Sequence, residues 1–130
     1  MRYLLDTNVV IALLKDPQGS ERQQLQCLAP ACVALSVVVS HELYFGAYRS
    51  ARVTENLQRL DAMQFQVLPF DLDDAREAGK IRAELARDGL PIGPYDVLIA
   101  GQARCRDLVL VTNNRKEFDR VPNLLVESWR

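Results

Sequence analysis

No apolar run in this chain approaches the ~20 residues that span a bilayer, and His41 is the only histidine among its 130 residues. The first absence excludes a membrane-spanning helix. The second excludes any mechanism that needs two imidazoles. Cysteine is scarce and odd in number: Cys27, Cys32 and Cys105 are irregularly spaced, which supports neither a disulfide framework nor a zinc knuckle. All three read as reduced, partly buried thiols. The N-terminal apolar stretch Tyr3-Leu4-Leu5 is broken by Asp6, Thr7 and Asn8, so no secretory signal is expected, and the location is read as cytoplasmic. Repeats, low-complexity tracts and linkers are absent too. The length suits one domain, residues 1–130, with a core of its own.

An excess of either charge is also missing. Sixteen Lys and Arg face seventeen Asp and Glu, for a net charge of -1. That balance gives no overall attraction to nucleic acid, but the distribution is uneven. Basic residues gather at Arg49, Arg52 and Arg59, along Arg76 to Arg87, at Arg104 and Arg106, and at Arg115, Lys116 and Arg120. Each group alone reads as ordinary solvated surface. Around an acidic, cation-filled hole they would suit a phosphodiester.

What the chain does have is three acids embedded in apolar surroundings. Asp6 ends Tyr3-Leu4-Leu5 and precedes Val9 to Leu14. Read as helical, Glu42 has Val38, Val39, Phe45 and Gly46 as its neighbours three and four positions away. Asp96 follows Gly93-Pro94-Tyr95 and precedes Val97-Leu98-Ile99-Ala100. A carboxylate in such a place must be paired, hydrogen-bonded or bound to a metal. Oxygen donors without Cys or His select a hard cation, Mg2+ or Mn2+.

Strand and helix signals alternate along the chain. Tyr3–Leu5 is a short buried strand, with Thr7 or Asn8 capping a helix to about Lys15. A helix over Glu21–Leu28 precedes a strand at Cys32–Leu35, and Ser36 caps a helix to about Tyr48. Further helices are expected at Thr54–Met63 and Asp71–Arg87, with a strand at Phe65–Leu68 between them. The latter helix carries Ala75, Ala78, Ile81 and Leu85 on one stripe, and a solvated face of Asp73, Glu77, Lys80, Glu84 and Arg87. Pro94 opens a helix to about Arg104, followed by strands at Leu108–Val111 and Leu124–Glu127. The pattern implies an α/β fold: an open, mainly parallel sheet of four or five strands with helices on both faces. Ligands in such sheets gather beyond the carboxyl ends of the strands. Asp6, Glu42, Asp96 and Asn114 are all expected there, with the dipole of its helix favouring ionisation of Asp96.

Leu4-Leu5-Asp6-Thr7-Asn8, Glu42 after the second strand, Gly93-Pro94-Tyr95-Asp96 to Gly101, and Val111-Thr112-Asn113-Asn114-Arg115-Lys116-Glu117-Phe118 together resemble the PIN-domain ribonucleases. Within them the chain is similar to VapC toxins of type II toxin–antitoxin modules, near the group classed as tRNA(fMet)-specific endonucleases. The resemblance implies Mg2+-dependent endonucleolytic cleavage of RNA, with initiator tRNA the specific expectation. It implies Asp6 and Asp96 as metal ligands, and Glu42 as a third ligand or as the group orienting the attacking water. In-line hydrolysis leaves a 5'-phosphate and a 3'-hydroxyl. Thr7, Asn8 and Thr112 are supporting residues, although Thr7 reads equally as a helix cap. Many PIN domains carry a fourth acid where this chain has Asn114, and Glu117 supplies that charge if a helical turn begins there.

The resemblance also implies a VapB-type antitoxin whose C-terminal segment covers the acids, with Leu43, Phe45 and Tyr48 near its groove. Homodimers and toxin–antitoxin hetero-oligomers are implied as well. His41 is expected to face solvent or a partner, and Tyr44, Phe45 and Tyr48 to serve core or interface. Two other readings stand beside these: a PIN scaffold that binds without cleaving, and a phosphatase of the haloacid-dehalogenase kind. The phosphatase reading is disfavoured by Asn8, because its second Asp would stand there.

Overall fold

The computed structural model describes residues 1–130. β1 (Tyr3–Leu5) leads into α1 (Thr7–Lys15) and α2 (Ser20–Gln26). A 3-10 turn at Pro30–Cys32 precedes β2 (Val33–Ser36), α3 (Val37–Arg49) and α4 (Val53–Asp61). β3 (Gln66–Leu68), α5 (Leu72–Arg87), α6 (Pro94–Cys105), β4 (Val109–Val111), α7 (Arg115–Phe118) and β5 (Val126–Glu127) complete the chain. The five strands form one sheet in the order β3-β2-β1-β4-β5, with every pairing parallel.

Burial follows from that topology. Tyr3, Leu4 and Leu5 are all buried, as are Val33, Ala34, Leu35 and Ser36, so the central strands are covered on both faces as a parallel sheet requires. Val9, Val10 and Leu13 turn inward from α1, and Val39, Leu43 and Ala47 from α3. Ser36 caps α3 as the sequence indicates, its side chain accepting from the Val38 amide. The cap of α1 is different. Asp6 itself takes that place and accepts from the Thr7 amide, leaving Thr7 in the first turn and Asn8 exposed. No helix is long and apolar enough to cross a membrane.

α5 and α6 lie against one another where Gly101 meets Ala78. A Cβ at Gly101 would stand 2.6 Å from both Cα and Cβ of Ala78, so the close approach depends on glycine. The inward stripe of α5 is Asp74, Ala78, Ile81 and Leu85, while Ala75 is exposed. Spacing of four, three and four residues places Asp74 where the sequence reading had put an alanine. Its burial is compensated. Arg106 donates to Asp74 through Nε at 3.1 Å and through a terminal nitrogen at 2.8 Å, and Gln102 and the Asp71 amide also donate to it. Burial raises the pKa of Asp74, but the Arg106 hydrogen bonds and charge outweigh it, and the net is below the usual carboxylate value. Glu77 and Glu84 are not simply solvated either: Arg104 of α6 pairs with both, at 2.6 and 3.6 Å.

Candidate active site

The strand order reverses direction at β1. The chain builds outward through β2 and β3, then returns to place β4 on the other side of β1. The space beyond the carboxyl ends of β1 and β4 is therefore the switch point, where open parallel sheets bind ligands. Asp6 directly follows β1 and Thr112 directly follows β4. The Asp6 amide donates to the Val111 carbonyl at 2.9 Å, and the Thr112 hydroxyl donates to Asp6 Oδ2 at 2.8 Å. With the Thr7 amide on Oδ1, both oxygens of this buried carboxylate are oriented, and each keeps a further lone pair.

Glu117 reaches the same place from α7. Asn114 begins that turn, and its side-chain amide donates to Glu117 Oε2 at 2.7 Å. The Gly93 amide donates to Oε1, also at 2.7 Å. Asn114 is thus a holder of Glu117, and its own amide is fixed by the Thr112 hydroxyl at 3.0 Å. Gly93 was not singled out by sequence. A Cβ there would lie 3.0 Å from Asp96 Oδ2 and 3.6 Å from Glu117 Oε1, which places both carboxylates against its backbone.

Glu42 enters from α3, half-buried, with Oε1 out of solvent and without a hydrogen-bond partner. The Thr7 hydroxyl is also buried and unpartnered. It lies close enough to Glu42 to ease its ionisation somewhat, without hydrogen-bond geometry. None of the ion pairs in the molecule includes Asp6, Glu42, Asp96 or Glu117.

Uncompensated proximity shows in the acid strengths. Burial raises the pKa of Asp6 against the pull of Thr112 and the Thr7 amide, and the Glu117 charge raises it further. Burial likewise raises Glu42, with Asp6 adding to the rise. Asp96 is pushed up to about 7, by burial first and then by the charges of Asp6, Glu117 and Glu42. The dipole of α6 was expected to favour its ionised form, but burial and three like charges outweigh that end-of-helix effect. Glu117 moves the other way: the Gly93 amide and Asn114, helped by the nearness of Asp96 and by the Arg120 charge, hold it below its ordinary value.

Four carboxylates consequently feel one another around a single point, with no lysine or arginine in ion-pair contact and only the Arg120 charge easing Glu117 from further off. As they stand, no three His, Cys, Asp or Glu side chains enclose a position that an ion could occupy directly. The donor chemistry nevertheless suits a hard divalent cation: all-oxygen, anionic, with an orphaned Glu42 oxygen.

A cleft of about 350 Å3 adjoins Glu42 on its other side, between α1, α3 and α4, lined by Ile11, Leu14, Leu43, Ala47 and Leu60. Leu43 belongs to it as the sequence suggests. Phe45 and Tyr48 do not line it; they are 57% and 66% exposed, so neither is core. His41 is exposed and packs on Tyr95, close enough for its charge to ease the ionisation of Glu42 slightly.

The PIN domain family matches residues 3–124. The tRNA(fMet)-specific endonuclease VapC of Shigella flexneri is 40% identical over 131 residues, spanning 99% of this chain and 98% of the relative. Ribonuclease VapC2 of Rickettsia felis is 36% identical over 132 residues, with the same coverage of 99% and 98%. The structure of DNA-bound VapBC from Salmonella typhimurium superposes with a TM-score of 0.95 at 38% identity, covering 100% of this chain and 99% of that one. VapBC2 from Rickettsia felis, bound to a DNA fragment from its promoter, gives 0.93 at 34% identity, with both chains covered in full (100%).

Proposed function

The chain belongs to the PIN-domain family and is closely related to its VapC toxins, and from that premise we propose that it is an Mg2+-dependent endoribonuclease that cleaves tRNA. The observation that carries this reading is the convergence of Asp6, Glu42, Asp96 and Glu117 with none of them in an ion pair. Such an arrangement is unfavourable on its own and becomes favourable once a cation is added.

Asp6 and Asp96 would hold the metal, Mg2+ or Mn2+, with Glu42 as third ligand or as the group that orients the attacking water. When bound, the ion polarises a phosphate oxygen and makes water nucleophilic near neutral pH. The residues prepare that chemistry. Thr112 and the Thr7 amide fix the two oxygens of Asp6. Asn114 and Gly93 fix Glu117, which serves as the fourth acid in place of one at position 114. A bound cation would favour the ionised form of Asp96, whose pKa the neighbouring acids raise. Hydrolysis in line leaves a 5'-phosphate and a 3'-hydroxyl. Initiator tRNA is the specific substrate proposed, by similarity to the tRNA(fMet)-specific endonuclease of Shigella flexneri.

A VapB-type antitoxin is the proposed partner. Its segment would lie in the cleft beside Glu42, apolar residues against Ile11, Leu14 and Leu43 and a basic residue toward the carboxylate. Homodimers and hetero-oligomers with that antitoxin follow from the same similarity.

The test is incubation of the purified chain with total tRNA, in Mg2+ and in chelator, followed by sequencing of the new ends. Cleavage in Mg2+ alone, lost in Asp6→Asn and Asp96→Asn, is the expected result. Cyclic 2',3'-phosphate ends would refute water attack, and tRNA bound but uncut would favour a non-cleaving scaffold. Hydrolysis of small phosphate esters instead of RNA would favour the phosphatase reading, which Asn8 does not support because an amide cannot act as the acid/base that an Asp there would supply.

A further inference from the structure

Two rings meet across the gap between α3 and α6. His41 immediately precedes Glu42, and Tyr95 immediately precedes Asp96. Their centroids are 5.4 Å apart, with the planes inclined by 52°. Each ring is thus carried by the residue next in sequence to a cluster acid, which sets the pair at the edge of the acid cluster. Neither ring belongs to the hydrophobic core. His41 is exposed, and Tyr95 is 47% exposed. Packing alone therefore does not account for a tyrosine braced by an imidazole at the rim of a carboxylate cluster.

The electrostatics of the site suggest what such a rim is for. Four carboxylates repel a phosphodiester, and the chain's net charge of -1 offers no general attraction to offset it. Stacking on an aromatic ring is indifferent to that repulsion, because every base has a π-face. An unpaired base turned out of a loop is the usual target of such stacking in RNA recognition. The π-face of Tyr95 left open beside His41 is of that kind.

Resting on the ribonuclease reading above, we propose that His41 and Tyr95 form a stacking platform for an unpaired nucleobase adjoining the scissile phosphate. Tyr95 makes the contact and His41 holds its ring in place. The Tyr95 hydroxyl makes no hydrogen bond, so phenylalanine should serve as well as tyrosine, whereas alanine should not.

The experiment uses the native full chain with Ca2+ in place of Mg2+, an ion that oxygen ligands hold but that replaces the catalytic one, and a synthetic RNA hairpin whose single-stranded loop contains 2-aminopurine. Binding is expected to quench the fluorescence of one loop position. Tyr95→Ala should abolish that quenching and weaken affinity roughly five-fold or more, the lower end of what one stacked base contributes. Tyr95→Phe should retain both, and His41→Ala should fall between. Thermal melts of each variant separate loss of stacking from loss of fold. Unchanged quenching and affinity in both Tyr95→Ala and His41→Ala overturns the platform and leaves the ribonuclease reading intact. Tyr95→Ala that spares RNA but weakens antitoxin binding overturns it in favour of a protein contact. A native chain that neither binds RNA in Ca2+ nor cuts it in Mg2+ removes both.

Discussion

At the scale of single residues, the site is a set of acids none of which forms an ion pair. In chelator, the raised pKa values of Asp6, Glu42 and Asp96 mean that the folded state binds more protons than the unfolded one between about pH 4 and 7. Stability from these groups is complete at the acid end of that window and is lost as pH rises through it. Asp96→Asn is accordingly expected to raise the chelated protein's Tm at pH 7.5 while lowering tRNA cleavage about 100-fold or more. A melt and a cleavage time course check the two halves. A variant that melts lower and cleaves normally would show that Asp96 is a structural acid.

Thr112 offers a second test at this scale. Its hydroxyl is buried and donates to Asp6 Oδ2. Thr112→Val leaves that oxygen without its donor and should cost about 1–3 kcal/mol in urea unfolding, with Thr112→Ser close to wild type.

Elements carry the next level of the account, and α5 with α6 is its clearest case. Gly101→Ala forces a Cβ into the backbone of Ala78, and about 1–3 kcal/mol of destabilisation is expected by urea titration. The clasp between Asp74 and Arg106 joins the start of α5 to the end of α6. Breaking it by Arg106→Ala leaves a buried carboxylate unpaired, at a cost of about 3–5 kcal/mol. Because the Asp74 pKa is lowered in the fold, its contribution is fully present above about pH 4 and is lost as pH falls through its folded value. Acid unfolding of the native chain below pH 4 should therefore be steeper than that of Asp74→Asn, as followed by circular dichroism.

Much of this level was legible in the sequence, because the alternation of short apolar runs with 3.6-residue periodicity dictates strands and helices directly. Ser36 and Pro94 announced their helix starts, one as a side-chain cap and the other as a first-turn proline. Asp74 was not legible. A carboxylate on an apolar stripe resembles an error of register until its arginine, over thirty positions later, is seen beside it. The cap of α1 misled for a related reason: Asp6 was read only as a ligand, yet one oxygen can cap a helix while lone pairs remain for other work.

The whole molecule unites residues separated by most of the chain. Asp6 and Thr112 come together only because β4 returns to pair with β1, and Gly93 reaches Glu117 only because α6 and α7 open on the same side. The embedded trio was legible as three carboxylates that lacked neighbours of opposite charge. The roles of Gly93 and Asn114 in holding Glu117 were not, since a backbone amide and a short polar side chain carry no distinguishing pattern. The bracing of Tyr95 by His41 was hidden for the same reason. Nearness across a gap between helices leaves no periodicity to read.

The central claim is that these four acids form a divalent-cation site, and Mn2+ binding tests it without reference to any substrate. Free Mn2+ can be followed by electron paramagnetic resonance as it is added to the native chain and to Asp6→Asn, with Asp96→Asn as a third sample. Saturable, stoichiometric uptake by the native protein, competed by Mg2+ and lost in both variants, is the expected result. A folded native chain that takes up no more Mn2+ than the variants would contradict the account.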